Sequence, residues 1–211
     1  ALCSLQDKSD QEYVRYYVTE AVMTPNIRIL INETGFCRLH YSKLMNGGNR
    51  LGLALITHSH ICELRKKLNI DLEKKKTSYK RDIARLCTHL SQQESLCLIC
   101  KRIEERIERY SNVIIRLWSN DIKFRTQFKI SQGFCINHVV KLLKAATKFL
   151  RTPQLKNFVT DLMETERQSW DHHEKQLLNF ISNFDYVKTN SIRTETRQSL
   201  AKAIQKLSSS I

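Results

Sequence analysis

The chain has 211 residues, 41% hydrophobic and 27% charged, with a formal net charge of +14. This composition supports one large domain or two small ones around a packed core, and it excludes a compositionally disordered chain. Two prolines and five glycines are too few for the many tight turns of an all-β protein, which predicts an all-α fold of long helices.

From the start, Cys3 leads into a helical pattern in which Tyr13, Tyr17 and Ala21, with Val14 and Val18, share an apolar stripe. A second, shorter helix is expected from Thr24-Pro25, a cap followed by proline at the first helical position, to Gly35, where a left-handed C-cap residue is expected. Residues 35–45 then read GFCRLHYSKLM. Gly47-Gly48 closes that helix and Leu51 to Leu68 forms another. A basic stretch follows, carrying Arg65, Lys66, Lys67, Lys74, Lys75, Lys76, Lys80 and Arg81. It reads either as a solvated helical surface or as a weak anion-binding face for nucleic acid.

The same order then recurs. Cys97-Leu98-Ile99-Cys100 leads into a helix with Ile103, Ile107, Tyr110, Ile114 and Leu117 on one side. A short helix is expected from Asn120-Asp121 to Gly133, and residues 133–143 read GFCINHVVKLL. This segment agrees with residues 35–45 at Gly, Phe, Cys, His, Lys and Leu, so the chain reads as an internal duplication. Beyond it, an amphipathic helix runs from Pro153 to about Phe184 and a last one from about Thr194 to Leu207. The expected organisation is a first Cys/His helical unit at 1–64, a basic connector at 65–96, a second Cys/His unit at 97–150 and covering C-terminal helices at 151–211. Together these form one compact domain with two zinc-knuckle-like units.

Structural zinc takes four Cys or His ligands in a tetrahedron. Cys-x-x-Cys before a helix offers two sulfurs to one ion, and the free N–H groups of the helix start favour thiolate. Cys-x-x-His on a helix puts its two ligands on one face. In sequence order, Cys97, Cys100, Cys135 and His138 make a full Cys3His set for zinc. Cys3, Cys37 and His40 make a degenerate copy in which Gln6 stands in place of the second cysteine. That copy reads as dead, as completed by a ligand from elsewhere such as His172-His173, or as an open metal position. His58 and His60 are two apart and do not share a helix face. Cys62 and Cys87 read as small buried residues, and His89 has no partner pattern.

These motifs carry a resemblance. The chain resembles an uncharacterised bacterial family of unknown function built from tandem Cys-x-x-Cys and Gly-Phe-Cys-x-x-His motifs, over nearly its whole length. Cys97, Cys100, Cys135 and His138 match the second motif in full. Cys3, Cys37 and His40 match the first, from which Gln6 departs. The resemblance implies no activity.

Three functions remain in view. The first is a zinc-stabilised helical module that binds a protein partner. The second is a non-specific nucleic-acid binder acting through Lys66, Lys67, Lys74, Lys75, Lys76, Lys80 and Arg81. The third is a metal- or thiol-dependent enzyme using the incomplete first site. No catalytic constellation is visible in the sequence. No apolar run approaches the length of a membrane span and no export signal is visible, so the expected location is cytoplasmic, with reduced cysteines.

Overall fold

The computed structural model describes residues 2–68, 79–185 and 194–208. Among the described residues there are helices and no strands. In chain order these are α1 (Leu2–Val18), a 3-10 turn (Glu20–Met23), α2 (Pro25–Thr34), α3 (Arg38–Asn46), α4 (Arg50–Leu68) and α5 (Tyr79–Ser95). Then follow α6 (Leu98–Asn120), α7 (Ile122–Lys129), α8 (Ile136–Phe149), α9 (Thr152–Asp185) and α10 (Thr194–Leu207). The all-α fold expected from the sequence is therefore observed.

Helix boundaries follow local chemistry. Pro25 opens α2, where its missing N–H would have had no helical acceptor. Gly35 closes α2 at φ 61°, its N–H bonded to the Ile31 carbonyl. Asp121 caps α7 by accepting hydrogen bonds from the N–H groups of Lys123 and Phe124. Gly133, expected to end α7, lies beyond it. The helix stops at Lys129, Ile130 is its C-cap, and Gly133 takes φ 67° inside the turn that leads to α8.

The chain forms two compact units that do not follow the order of the sequence copies. One comprises Lys8–Glu105, and the other comprises Ala1–Asp7 with Arg106–Ile211. The division cuts through α1 and α6, so each unit takes the first turns of one long helix and the remainder of the other.

In the Lys8–Glu105 unit the core gathers Tyr17, Ile31, Phe36, Leu44 and Ile56 with Cys97, Leu98 and Ile99. Phe36 meets Tyr17 and Tyr41 edge-on, each with ring centroids 5.5 Å apart, a favourable aromatic geometry. Helix α4 packs on α2 and α3. Residues 69–78 of the expected basic connector, with Lys74, Lys75 and Lys76, lie outside the described residues. Of its other cations, Lys80 and Arg81 are exposed on α5, and Lys66 is exposed and bonded to Glu63. Cys62 and Cys87 correct the expectation of burial: both are exposed. Each is on a helix, but the apolar positions around it do not face the core. Ile61, Ile83 and Leu90 are exposed as well.

In the other unit, Trp118, Phe128, Phe134 and Phe158 form an aromatic core with Leu142, Leu162 and Leu2. Helix α9 packs on α7, α8 and α10. Asp161 of α9, nearly buried, organises the meeting of α6, α7 and α9. It accepts hydrogen bonds from Trp118 Nε1 at 3.2 Å, Arg125 Nε at 2.8 Å and Lys129 Nζ at 2.9 Å. The Arg125 guanidinium also lies over the Trp118 ring at 4.4 Å.

Burial alone would raise the Asp161 carboxyl, but the bonds from Lys129 and Arg125 outweigh it and hold the group below its ordinary value. A depressed folded-state value stabilises the fold above the unfolded value of about 4 and ceases to do so as pH falls through the folded value. Urea titrations of the wild type and Asp161→Asn should therefore show a gap at neutral pH that closes below about pH 4. A gap independent of pH would contradict this role.

Candidate metal centres

Both Gly-Phe-Cys-x-x-His segments fold alike. Cys37 is the N-cap of α3 at φ −73° and ψ 165°, and Cys135 is the N-cap of α8 at φ −72° and ψ 159°. Each histidine is then the third residue of its helix, and both are buried. The phenylalanine before each cysteine enters the core of its unit. Cys97 immediately precedes α6 and Cys100 is the third residue of that helix, its N–H donating to Cys97 Sγ at 3.5 Å.

The seven Cys and His residues singled out from the sequence do fall into two clusters, but the partners are exchanged. Cys97 and Cys100 lie with Cys37 and His40, not with Cys135 and His138. Cys3 lies with Cys135 and His138, not with Cys37 and His40. The grouping follows the two units: Cys37, His40, Cys97 and Cys100 belong to Lys8–Glu105, and Cys3, Cys135 and His138 to the other.

In the four-donor cluster all donor atoms lie within 4.8 Å of one another. His40 Nδ1 is 3.2 Å from Cys37 Sγ, 3.3 Å from Cys97 Sγ and 3.3 Å from Cys100 Sγ. Cys37 Sγ and Cys100 Sγ are 3.8 Å apart. A zinc tetrahedron with bonds of about 2.3 Å to sulfur and about 2.0 Å to nitrogen sets sulfurs about 3.8 Å apart and sulfur and nitrogen about 3.5 Å apart. One ring nitrogen gives or takes one hydrogen bond. Three sulfurs converging on it match donors that face a common cation.

The protonation of His40 supports the same use. Its Nε2–H donates to Asp10 Oδ1 at 2.8 Å, and Lys43 Nζ bonds the other carboxylate oxygen at 2.7 Å. That bond places the ring proton on Nε2 and leaves the Nδ1 lone pair toward the sulfurs. Burial pushes the Cys97 and Cys100 thiols up, and the sulfurs of Cys97 and Cys37 push Cys100 further. Thiolates so close together need a compensating positive charge. These four residues could hold one metal ion.

The position of the Gly35 turn is also set. The Leu98 N–H bonds the Gly35 carbonyl at 3.2 Å, joining the turn to the start of α6. His60 Nδ1 bonds the Asn32 carbonyl at 3.0 Å and lays the ring against Gly35, where a Cβ would come within 2.7 Å of Nε2.

In the three-donor cluster, His138 Nδ1 is 3.0 Å from Cys135 Sγ and 3.4 Å from Cys3 Sγ. The hydrogen bond with Cys3 and the neighbouring His138 hold the Cys135 thiol low against the effect of burial, and the same bond, with burial, pushes Cys3 up. Helix α9 clamps the turn before Cys135. Glu166 Oε1 accepts the Phe134 N–H at 2.7 Å, Ser169 Oγ donates to the Gln132 carbonyl at 2.6 Å, and Lys206 Nζ of α10 bonds Glu166 Oε2 at 2.6 Å. A Cβ on Gly133 would collide with Lys206 Nζ and Glu166 Oε1. His172 and His173 join neither cluster.

Asp10, Glu166 and Lys206 had no signal in the sequence. Each is a single charged residue in an ordinary helical pattern, and only the packing brings it to a Cys-x-x-His turn. Glu166 and Lys206 are 6% and 5% exposed. Removing one partner of such a pair strands a buried charge, so Lys206→Met should lower stability by about 3–5 kcal/mol in a denaturant titration. A change within about 0.5 kcal/mol, typical of exposed sites, would show that the pair does not hold the turn.

No curated protein and no solved structure matches the chain. A sequence profile described as a family of unknown function (DUF6062) matches residues 1–211, from end to end, and the chain belongs to that family.

Proposed function

We propose that this protein is a zinc-stapled helical module in which Cys37, His40, Cys97 and Cys100 hold a structural zinc ion. The observation that carries this reading is the convergence of three sulfurs on His40 Nδ1 at 3.2–3.3 Å. The donors lie within 4.8 Å of one another, room for one ion rather than a cluster. Four protein ligands fill the tetrahedron and leave no position for substrate, the arrangement of structural sites. The ion would tie the turn before α3 to the start of α6 within the Lys8–Glu105 unit. The role this supports is a rigid scaffold that presents its helices to a protein partner.

Elemental analysis with native mass spectrometry of the full chain tests the reading. Cys100→Ser should lose one zinc per chain and melt at lower temperature, while Cys62→Ser, at an exposed cysteine outside both clusters, should do neither. Asp10→Asn should keep the fold and weaken binding of that ion by about 10–100-fold. Unchanged zinc content in Cys100→Ser would remove the proposal.

The net charge of +14, with Lys80 and Arg81 exposed, favours a second reading: contact with a polyanion such as nucleic acid. Such binding should weaken steeply with salt because phosphate contacts release counterions. Retention of the chain on heparin or nucleic acid near physiological salt, lost steeply as salt is raised further, would fit it. The absence of any complex near physiological salt would count against it.

A further inference from the structure

We propose that Cys3, Cys135 and His138 hold a second metal ion whose fourth position is open to solvent or to a small coordinating ligand, so that this site exchanges where the first one staples. The three donor atoms lie within 4.8 Å of one another, and among the described residues no fourth Cys, His, Asp or Glu donor belongs to the group. Cys135 and His138 are buried and Cys3 is half-buried. The site is thus built into the core of its unit, with one side turned outward.

The two clusters differ at one ligand position. Cys100 stands three residues after Cys97 at the start of α6, whereas Gln6 stands three residues after Cys3 in the first turns of α1. Residues three apart share a helix face, so Gln6 occupies the side from which a fourth sulfur would come. A neutral amide does not belong to the usual zinc donors, which are thiolate, imidazole and carboxylate. Two thiolates, one imidazole and a free position form a donor set that catalytic zinc sites use for water or substrate. The fourth ligand is therefore a solvent molecule, displaceable by a thiol or a small monoanion.

A second difference points to exchange. His40 has Asp10 behind it. His138 Nε2 is buried and, among the described residues, has no hydrogen-bond partner. A histidine ligand without an acceptor on its far nitrogen is less basic and holds its metal less firmly. Three protein ligands in place of four work in the same direction.

The inference goes beyond the structural reading of the four-donor site and can fail separately from it. The test uses the full chain loaded with cobalt(II), whose visible ligand-field spectrum reports coordination. The expected result is two cobalt ions per chain and a spectrum that shifts when azide is added. Cys135→Ser and Cys3→Ser should each lose one ion and the azide response together, with helix content unchanged by circular dichroism. Gln6→Cys should keep both ions and lose the response, because a fourth thiolate closes the site. Cys100→Ser should lose the other ion and keep the response. A chelator should remove the azide-responsive ion about 10-fold faster than its neighbour. One ion per chain with no azide response would overturn the proposal. So would two ions with a spectrum indifferent to azide, since that would mean a fourth protein ligand.

Discussion

The carboxylate of Asp10 accepts a hydrogen bond from His40 Nε2 and thereby turns Nδ1 toward the sulfurs of Cys37, Cys97 and Cys100. The convergence of the four donor atoms in the Lys8–Glu105 unit depends on that orientation. Asp10 lies on α1, His40 on α3, and Cys97 and Cys100 at the start of α6, so one polar chain joins three helices far apart in sequence. The apolar core beneath it, with Tyr17, Phe36, Leu98 and Ile99, uses the same helices. Non-directional burial brings them together, and the directional bond and the donor geometry fix their register.

The other unit holds its Cys-x-x-His turn by different means. Glu166 on α9 receives the Phe134 N–H and is itself neutralised by Lys206 on α10. Gly133 is required there twice over, for φ 67° and for the space that Glu166 and Lys206 fill. The clamp secures the backbone of the turn, and among the described residues His138 Nε2 has no hydrogen-bond partner. The two turns therefore share one backbone geometry and differ in what stands behind the histidine. That difference, together with Gln6 in place of a cysteine, separates a staple from an exchangeable site in the functions proposed for them.

Exchanged partnership between the copies gives the chain an economy of long helices. The Cys97 and Cys100 pair at the start of α6 serves one unit while the apolar stripe further along, with Ile115 and Trp118, serves the other. Helix α1 does the converse, contributing Leu2 and Cys3 to one unit and Tyr17 and Val18 to the other.

The sequence by itself determined the all-α class, most helix boundaries, the recurrence of Gly-Phe-Cys-x-x-His and the seven Cys and His residues that form the two clusters. These features are local: they rest on periodicity, capping and the spacing of ligands within a turn, which the chain carries at short range. Cys62 and Cys87 sit beside apolar residues on helices yet are exposed, because local pattern does not say which face meets the core. Which donors share a cluster, and the roles of Asp10, Glu166, Lys206 and His60, were decided only by the tertiary structure. The physical reason is that α1 and α6 each give their first turns to one unit and the remainder to the other. Cys and His residues adjacent in the order of each copy therefore belong to different units, and those of different copies share one.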